Sequence, residues 1–491
     1  MPPSSAPRPS PGKMLFNSLT FGIFLIITYV LYWTLFNRNV GYRNIFLLAA
    51  SYFFYGWWNW KLLPLIAGIS LVDYLSGMSI SRQQERGENG KGILILALVL
   101  NLGALCFFKY FNFFAESFAA AFGFLSGHGS AFNPLDIVLP VGISFYTFQG
   151  LSYVLDIYYK KTAPTKDPVA FFAFISFFPQ LVAGPIERSK DLLPQFSGKK
   201  EFNYEEARWG LLMIAVGLFK KMVIADRLAV LVDSVYSEPA SHQGLPILVA
   251  ILFFAFQLYL DFSAYSQIAI GTARLFGFRL HDNFRRPYLA TSFKEFWKRW
   301  HITLTSWFMD YLYIPLGGNR RGKARTILNV MIVFAVSGLW HGASWNFVIW
   351  GCVNGLFLVL TSKVFNMKPE GAFTKVVSCL FVFSVWALSL VFFRTPTFAD
   401  AMAVFSGFGF SGAETLKSCG MGLPELRLSF FLIAALALLE ILTERSQKSL
   451  ESRILSFPTV LRWTVYILVA LSILYLGVYG ANDNSFIYFQ F

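Results

Sequence analysis

The sequence predicts an all-α, polytopic membrane protein, and three observations carry that prediction. Of 491 residues, 56% are hydrophobic and only 14% charged, far from the balance of a water-soluble domain. Apolar runs of about 20 residues, the length that crosses a hydrocarbon core of about 30 Å, recur from end to end. No stretch alternates apolar and polar residues over about ten positions with turn punctuation, which is the pattern of a transmembrane barrel.

The elements follow in order. Residues 1–13, MPPSSAPRPSPGK, are too rich in Pro and Ser to pack and predict a disordered tail, while Met14 opens the first apolar run and is a second candidate start. That first run carries no small-residue cleavage pattern and predicts a retained helix. Apolar runs lie near 15–36, 44–58, 61–80, 93–112, 137–158, 169–186, 209–232, 246–271, 327–364, 374–393, 428–442 and 461–481. They predict about 11–13 transmembrane or re-entrant helices. The run 169–186, broken by Pro179, Gly184 and Pro185, suits a re-entrant segment buried in protein. One membrane domain over 14–481 and an aromatic C-terminal motif over 482–491 complete the division.

The net charge of +14 does not call for nucleic acid, because the basic residues sit in short loops between apolar runs. The connection from Arg274 to Arg325 is the most basic, with Arg285, Arg286, Lys298, Arg299, Arg320 and Arg321 among its cations and Asp282, Glu295 and Asp310 its acids. That excess predicts the cytoplasmic side of the membrane. Interleaved aromatics, including Phe296, Trp297, Trp300 and Trp307, predict that the connection lies in the interface rather than as a free loop. From Arg325 to His341 a helix climbs about 24 Å at 1.5 Å per residue, which sets His341 deep in the bilayer. The loop with Arg445, Lys448, Arg453 and Arg462 is also basic, so the last helix runs outward and the C-terminus is expected on the extracytoplasmic side.

Chemistry-bearing residues are few. The four cysteines have no metal-like spacing and read as inert packing residues. Of the five histidines, His128 and His242 lie in polar loops, whereas His301 and His341 sit in aromatic, membrane-associated surroundings. An ionisable group inside a membrane is expensive and marks a functional site unless it serves as a hydrogen bond between helices. Apolar surroundings favour the neutral imidazole, which can take a proton from a hydroxyl attacking an acyl carbon. Metal binding is not expected, since no histidine pair or CxxC has ligand spacing and the nearest acid, Asp261, belongs to another helix.

The runs FWKRWHITLTSWFMDYLYIPLGGNR (Phe296 to Arg320) and GLWHGASWNFVIWG (Gly338 to Gly351) resemble the signature of the membrane-bound O-acyltransferases. The likeness is to the bacterial branch of alginate O-acetylation and teichoic-acid D-alanylation membrane proteins. Supporting runs are YRNIFLLAASYFFYGWW (Tyr42 to Trp58), LPVGISFYTFQGLSYVLDIY (Leu139 to Tyr158), FFPQLVAGPIER (Phe177 to Arg188) and LYLDFSAYSQIAIG (Leu258 to Gly271), so the likeness spans nearly the whole chain. It implies a ring of tilted helices around a central tunnel, in which a cytoplasmic acyl donor meets an extracytoplasmic acceptor. His341 matches the family's core histidine and His301 its second histidine. No bound cofactor is implied; the donor is a thioester, acetyl-CoA or an acyl-carrier thioester, with acetyl the expected group. The acceptor is a polysaccharide or other envelope polymer. The alginate proteins commonly carry a histidine where this chain has Gln180, which argues against alginate itself.

Two further polar residues are site candidates: Asp261, as a member of the site or a helix-to-helix hydrogen bond, and Arg188, as a ligand for a donor phosphate or a lipid headgroup. The terminal SFIYFQF reads either as an aromatic belt at the outer interface or as a motif similar to one associated with this branch, whose tyrosine carries the acyl group between the two sides. Tyr488 is then the candidate acyl-carrying residue, serving a separate extracytoplasmic transferase. The competing classes are a transporter or lipid flippase, against which stand the scarcity of intramembrane acids and the lack of a visible repeat, and a non-catalytic membrane scaffold.

Overall fold

The first long helices begin where the sequence supplies a side-chain cap. In the computed structural model, which describes residues 14–126, 132–364, 369–446, 449–479 and 486–487, Ser18 caps α1 (Leu19–Thr34) and Asn39 caps α2 (Val40–Asn59) by accepting first-turn amides. The tail expected over 1–13 lies outside the described residues, as do His128, Tyr488 and all of 482–491 except Phe486 and Ile487. Helices α3 (Leu63–Glu85), α4 (Lys91–Leu105) and α5 (Phe111–Ser126) follow, the last two joined through a π-helical turn at Cys106–Tyr110. Then come α6 (Ile143–Tyr158), α7 (Pro168–Ser176), the short α8 (Ser189–Leu192), and α9 (Tyr204–Phe219), which a second π turn at Lys220–Ala225 joins to α10 (Asp226–Ser237).

The second half starts with α11 (Leu245–Leu275), then α12 (Phe293–Arg299) and α13 (Ile302–Phe308) in the basic connection. It continues with α14 (Lys323–His341), α15 (Trp345–Val359), α16 (Ala372–Arg394), α17 (Phe398–Ser406), α18 (Leu423–Ser446), α19 (Leu450–Leu455) and α20 (Thr459–Leu476). Among the described residues there is no strand, and nine helical segments are long and apolar enough to cross a membrane, one of them containing both α2 and α3. The chain is thus the all-helical, multi-pass membrane protein that its composition predicts.

Two helices form the interior. Every residue from Ile143 to Ile157 of α6 is buried, and so is nearly all of the middle of α11, whereas α20 buries none of its side chains and turns an apolar surface outward. Helix α9 reaches α11 backbone to backbone: a Cβ on Gly210 would lie 2.7 Å from the Gly271 carbonyl oxygen, so glycine sets the approach.

The broken run near 169–186 behaves as irregular backbone must at membrane depth. Residues 173–189 are all buried, α7 stops at Ser176, and Pro179 excludes a continued helix. The freed polar groups are satisfied by other elements. Gln149 and Gln180 both donate to the Phe174 carbonyl (2.9 and 3.1 Å), Ser51 Oγ accepts the Phe178 amide at 3.1 Å, and Thr303 Oγ1 accepts the Ile186 amide at 3.0 Å.

The single apolar run 327–364 folds as two helices. Gly342 to Ser344 reverse the chain, so α14 and α15 pack as an antiparallel hairpin with Gly338 against Phe347 and Gly351 and Gly355 against Phe334. Hydropathy does not register a reversal made by three small residues between two apolar helices. His341 is consequently the last residue of its helix, at the tip of the hairpin.

Candidate active site

His301 and His341 come together although forty residues apart, with ring centroids 6.4 Å from each other and both side chains buried. His301 occupies the joint between α12 and α13 at φ 42°, a left-handed conformation that a non-glycine residue adopts at a cost of roughly 1–2 kcal/mol. Asn283 fixes it there. Its carbonyl oxygen accepts the Ile302 amide at 2.9 Å, and its side-chain Oδ1 accepts from Thr303 Oγ1 (3.0 Å) and faces His301 Nδ1 (3.1 Å). Since Oδ1 can only accept, Nδ1 carries the proton and Nε2 the lone pair. Asn283 is itself oriented by donation to Ser266 Oγ of α11 at 3.3 Å.

Aromatic rings enclose both imidazoles. Phe262 of α11 meets the His301 ring edge-on at 4.7 Å, and Trp350 and Phe393 meet the His341 ring at 5.1 and 5.7 Å. Trp340 lies 5.0 Å from His341 and 6.0 Å from His301, bridging the pair. The hairpin needs glycine at 342, where a Cβ would strike the Phe347 ring.

The last carbonyls of a helix have no partner within it and must find one elsewhere. For α14 the partners come from the π turn between α4 and α5. Lys109 Nζ donates to the carbonyls of Trp340 (2.7 Å) and His341 (3.3 Å), and the Tyr110 hydroxyl donates to Leu339 (2.9 Å). A cation at a helix C-terminus also complements its dipole. Lys109 therefore positions His341, and sequence reasoning missed it, although it is the only charged residue in its apolar run past Lys91 and the rule applied to the histidines would have flagged it.

A cavity of about 500 Å³ opens beside Asn283, the hydrogen-bond partner of His301, although neither histidine lines it. Asn283, Ser263 and Ser266 line it, and Arg274, Arg285 and Arg286 stand among its charged residues with Glu440 and Glu451. Ion pairs brace this rim: Arg274 to Glu206 at 2.7 Å, Arg286 to Glu444 at 2.9 Å, and Arg299 to Glu444 at 2.8 Å, the last tying α12 to α18. The basic connection and the 445–462 loop thus share one face of the protein.

The other site candidates have different partners. Arg188 pairs with Asp310 at 3.0 Å and lies 4.4 Å over the Tyr311 ring, so its partners are these residues rather than either histidine. Its neighbour Glu187 is wholly buried and receives the His281 amide (2.6 Å) and Nδ1 (2.7 Å); that hydrogen bond raises the His281 pKa above its ordinary 6.5. Asp261 pairs with Lys221 at 2.5 Å, and Lys221 also reaches Asp226 at 2.8 Å.

Comparison with known proteins agrees with this architecture. The profile of the membrane-bound O-acyltransferase family matches residues 164–392, which contain both histidines. A probable alginate O-acetylase of Pseudomonas putida is 36% identical over 430 residues, covering 87% of this chain and 86% of its own. The peptidoglycan O-acetyltransferase of Helicobacter pylori is 36% identical over 433 residues, covering 82% and 81%. The teichoic acid D-alanyltransferase of Streptococcus thermophilus is 25% identical over 287 residues, covering 52% and 68%. The chain belongs to the membrane-bound O-acyltransferase family and is an O-acyltransferase of the multi-pass membrane type.

Proposed function

We propose that the protein moves an acetyl group from a cytoplasmic thioester to a hydroxyl of an envelope polysaccharide or peptidoglycan, across a bacterial inner membrane. The observation that carries this reading is the buried His301–His341 pair, linked through Asn283 to a cavity whose lining includes Arg274, Arg285 and Arg286. Arginines there suit an anionic donor, acetyl-CoA or an acyl-carrier thioester. The relatives' printed acceptors, alginate, peptidoglycan and teichoic acid, are all envelope polymers.

His341 acts as general base. It takes the proton of an attacking hydroxyl, whose oxygen bonds to the thioester carbonyl carbon; the carbon–sulfur bond breaks and the thiolate leaves with the proton returned from the imidazolium. His301, its tautomer fixed by Asn283, orients the reacting groups through Nε2. The first attacking hydroxyl is the Tyr488 phenol. The resulting aryl ester is an activated carrier, and a separate extracytoplasmic transferase passes the acetyl onward. Supporting this step, adjacent residues of α11 contact the site and the end of the chain: Phe262 meets the His301 ring, and Asp261 accepts the amide of Ile487, the residue before Tyr488.

The test is His341→Ala with polymer O-acetyl content measured at matched protein level. Loss of acetylation supports the enzyme, and retained acetylation returns the scaffold reading. Labelled acetyl donor should give an adduct that maps to Tyr488; unchanged labelling in Tyr488→Phe overturns the carrier step.

A further inference from the structure

Phe486 and Ile487, near the end of the chain, are held inside the helical body by a buried charge cluster. Phe486 and Ile487 are 1% and 4% exposed, far from the surface expected of a free terminus. The Ile487 amide donates to Asp261 Oδ2 at 2.7 Å, while Asp261 Oδ1 receives Lys221 at 2.5 Å. The same ammonium lies 4.6 Å from the centroid of the Phe486 ring, and Tyr265, one turn beyond Asp261, meets that ring edge-on at 4.9 Å.

A buried ion pair is often no more stable than well-packed apolar residues, so its presence asks for a reason. Here one ammonium faces two carboxyl groups, Asp226 and Asp261, and the second oxygen of Asp261 needs a further donor. That donor comes from a segment 226 residues away. The π turn Lys220–Ala225 gives the cluster its shape, and it grips the chain a second time, because the Met222 carbonyl accepts the Val478 amide at 3.0 Å just after α20. The dock also has a side. Tyr259, Ser263 and Gln267 of α11 line the cavity, whereas Asp261, two residues on from Tyr259 and hence about 200° around the helix, points to the opposite face.

We propose that Lys221 and Asp261 are positioning residues: they dock the end of the chain through the Ile487 amide and the Phe486 ring, on the face of α11 opposite the cavity. The consequence for acetyl transfer rests on the Tyr488 reading above; the dock itself does not.

Hydrogen–deuterium exchange of the full-length protein in detergent, followed on the peptide covering residues 478–491, tests it. Asp261→Ala should speed exchange of that peptide about tenfold or more, the worth of a hydrogen bond to a charged group. Ile487→Pro removes the tail's N–H together with the buried Ile487 side chain and leaves the ion pair in place, so the tail should be released while exchange of α9 to α11 stays as in the wild type. Polymer acetylation should fall about tenfold in both variants. Asp233→Asn, in the separate pair with Arg394, should leave the tail protected. Equal tail protection in wild type, Asp261→Ala and Ile487→Pro would overturn the dock. Tyr488→Phe separates the two ideas: a protected tail with acetylation lost supports both, whereas full acetylation in Tyr488→Phe removes the acyl-carrier role and leaves the dock to stand on its exchange data.

Discussion

Gly338→Ala should disable the enzyme without touching either histidine. A Cβ at this position would lie 2.9 Å from the Phe347 carbonyl carbon and 3.2 Å from Val348 Cα, and closer still to the Phe347 oxygen. Carbon atoms rest about 3.5–4.0 Å apart, and the obstructing atoms are backbone, so α14 and α15 must separate by about 1 Å. His341 lies one turn beyond Gly338 on α14 and moves with it. A misplacement of about 1 Å in a catalytic group costs about 100-fold in rate, so polymer O-acetyl content should fall by about that factor at matched protein level. Gly68→Ala and Gly92→Ala, with nothing within 4 Å of the added carbon, serve as controls and should leave acetylation unchanged. Wild-type acetylation in Gly338→Ala would refute the claim that hairpin packing fixes the base.

Lys109→Met keeps most of the apolar stem but removes the donors to the Trp340 and His341 carbonyls; the protein should accumulate normally while acetylation falls about 10- to 100-fold, and a wild-type rate would refute the positioning role. At His301, Gly and Ala should both lose acetylation, but Gly accepts the left-handed backbone and should melt as if about 1 kcal/mol more stable than Ala; the reverse order would count against strain at this joint. The His281 pKa is raised by Glu187, so the pair's contribution to stability is fully present below pH 6.5 and is lost as pH rises through the higher folded-state value. The thermal midpoint of His281→Gln should therefore trail that of the wild type at about pH 6 and converge with it in alkaline buffer; a pH-independent gap would show that the pair does not titrate.

The helical, membrane-spanning fold was legible because it depends on run length and composition, which are local. The two histidines were legible from the motifs around them, and their pairing was implied by the resemblance rather than by spacing. Hydropathy alone could not divide 327–364, yet Gly342, Ala343 and Ser344 are small or turn-forming residues, a signal present in the residues and outweighed by the length of the run. What stayed hidden depends on distant partners: Lys109 needs the end of α14, Glu187 needs His281, Asn283 needs His301, and Asp261 needs both the π turn after α9 and the last residues of the chain. A π turn leaves no trace in an apolar pattern, since one inserted residue shifts the phase of a helix that is apolar on every face.

On the proposed function, helix α11 keeps the donor and the docked Ile487 apart, and this constrains the order of events during turnover. A donor in the cavity, as proposed, and Ile487 on the far face do not compete for space, so neither must leave for the other to arrive, and residue 488 must reach past α11 to meet the thioester. The saturation behaviour of the donor is then independent of whether the tail is seated, and a chain lacking its last residues keeps the donor's Kd while losing the turnover that follows.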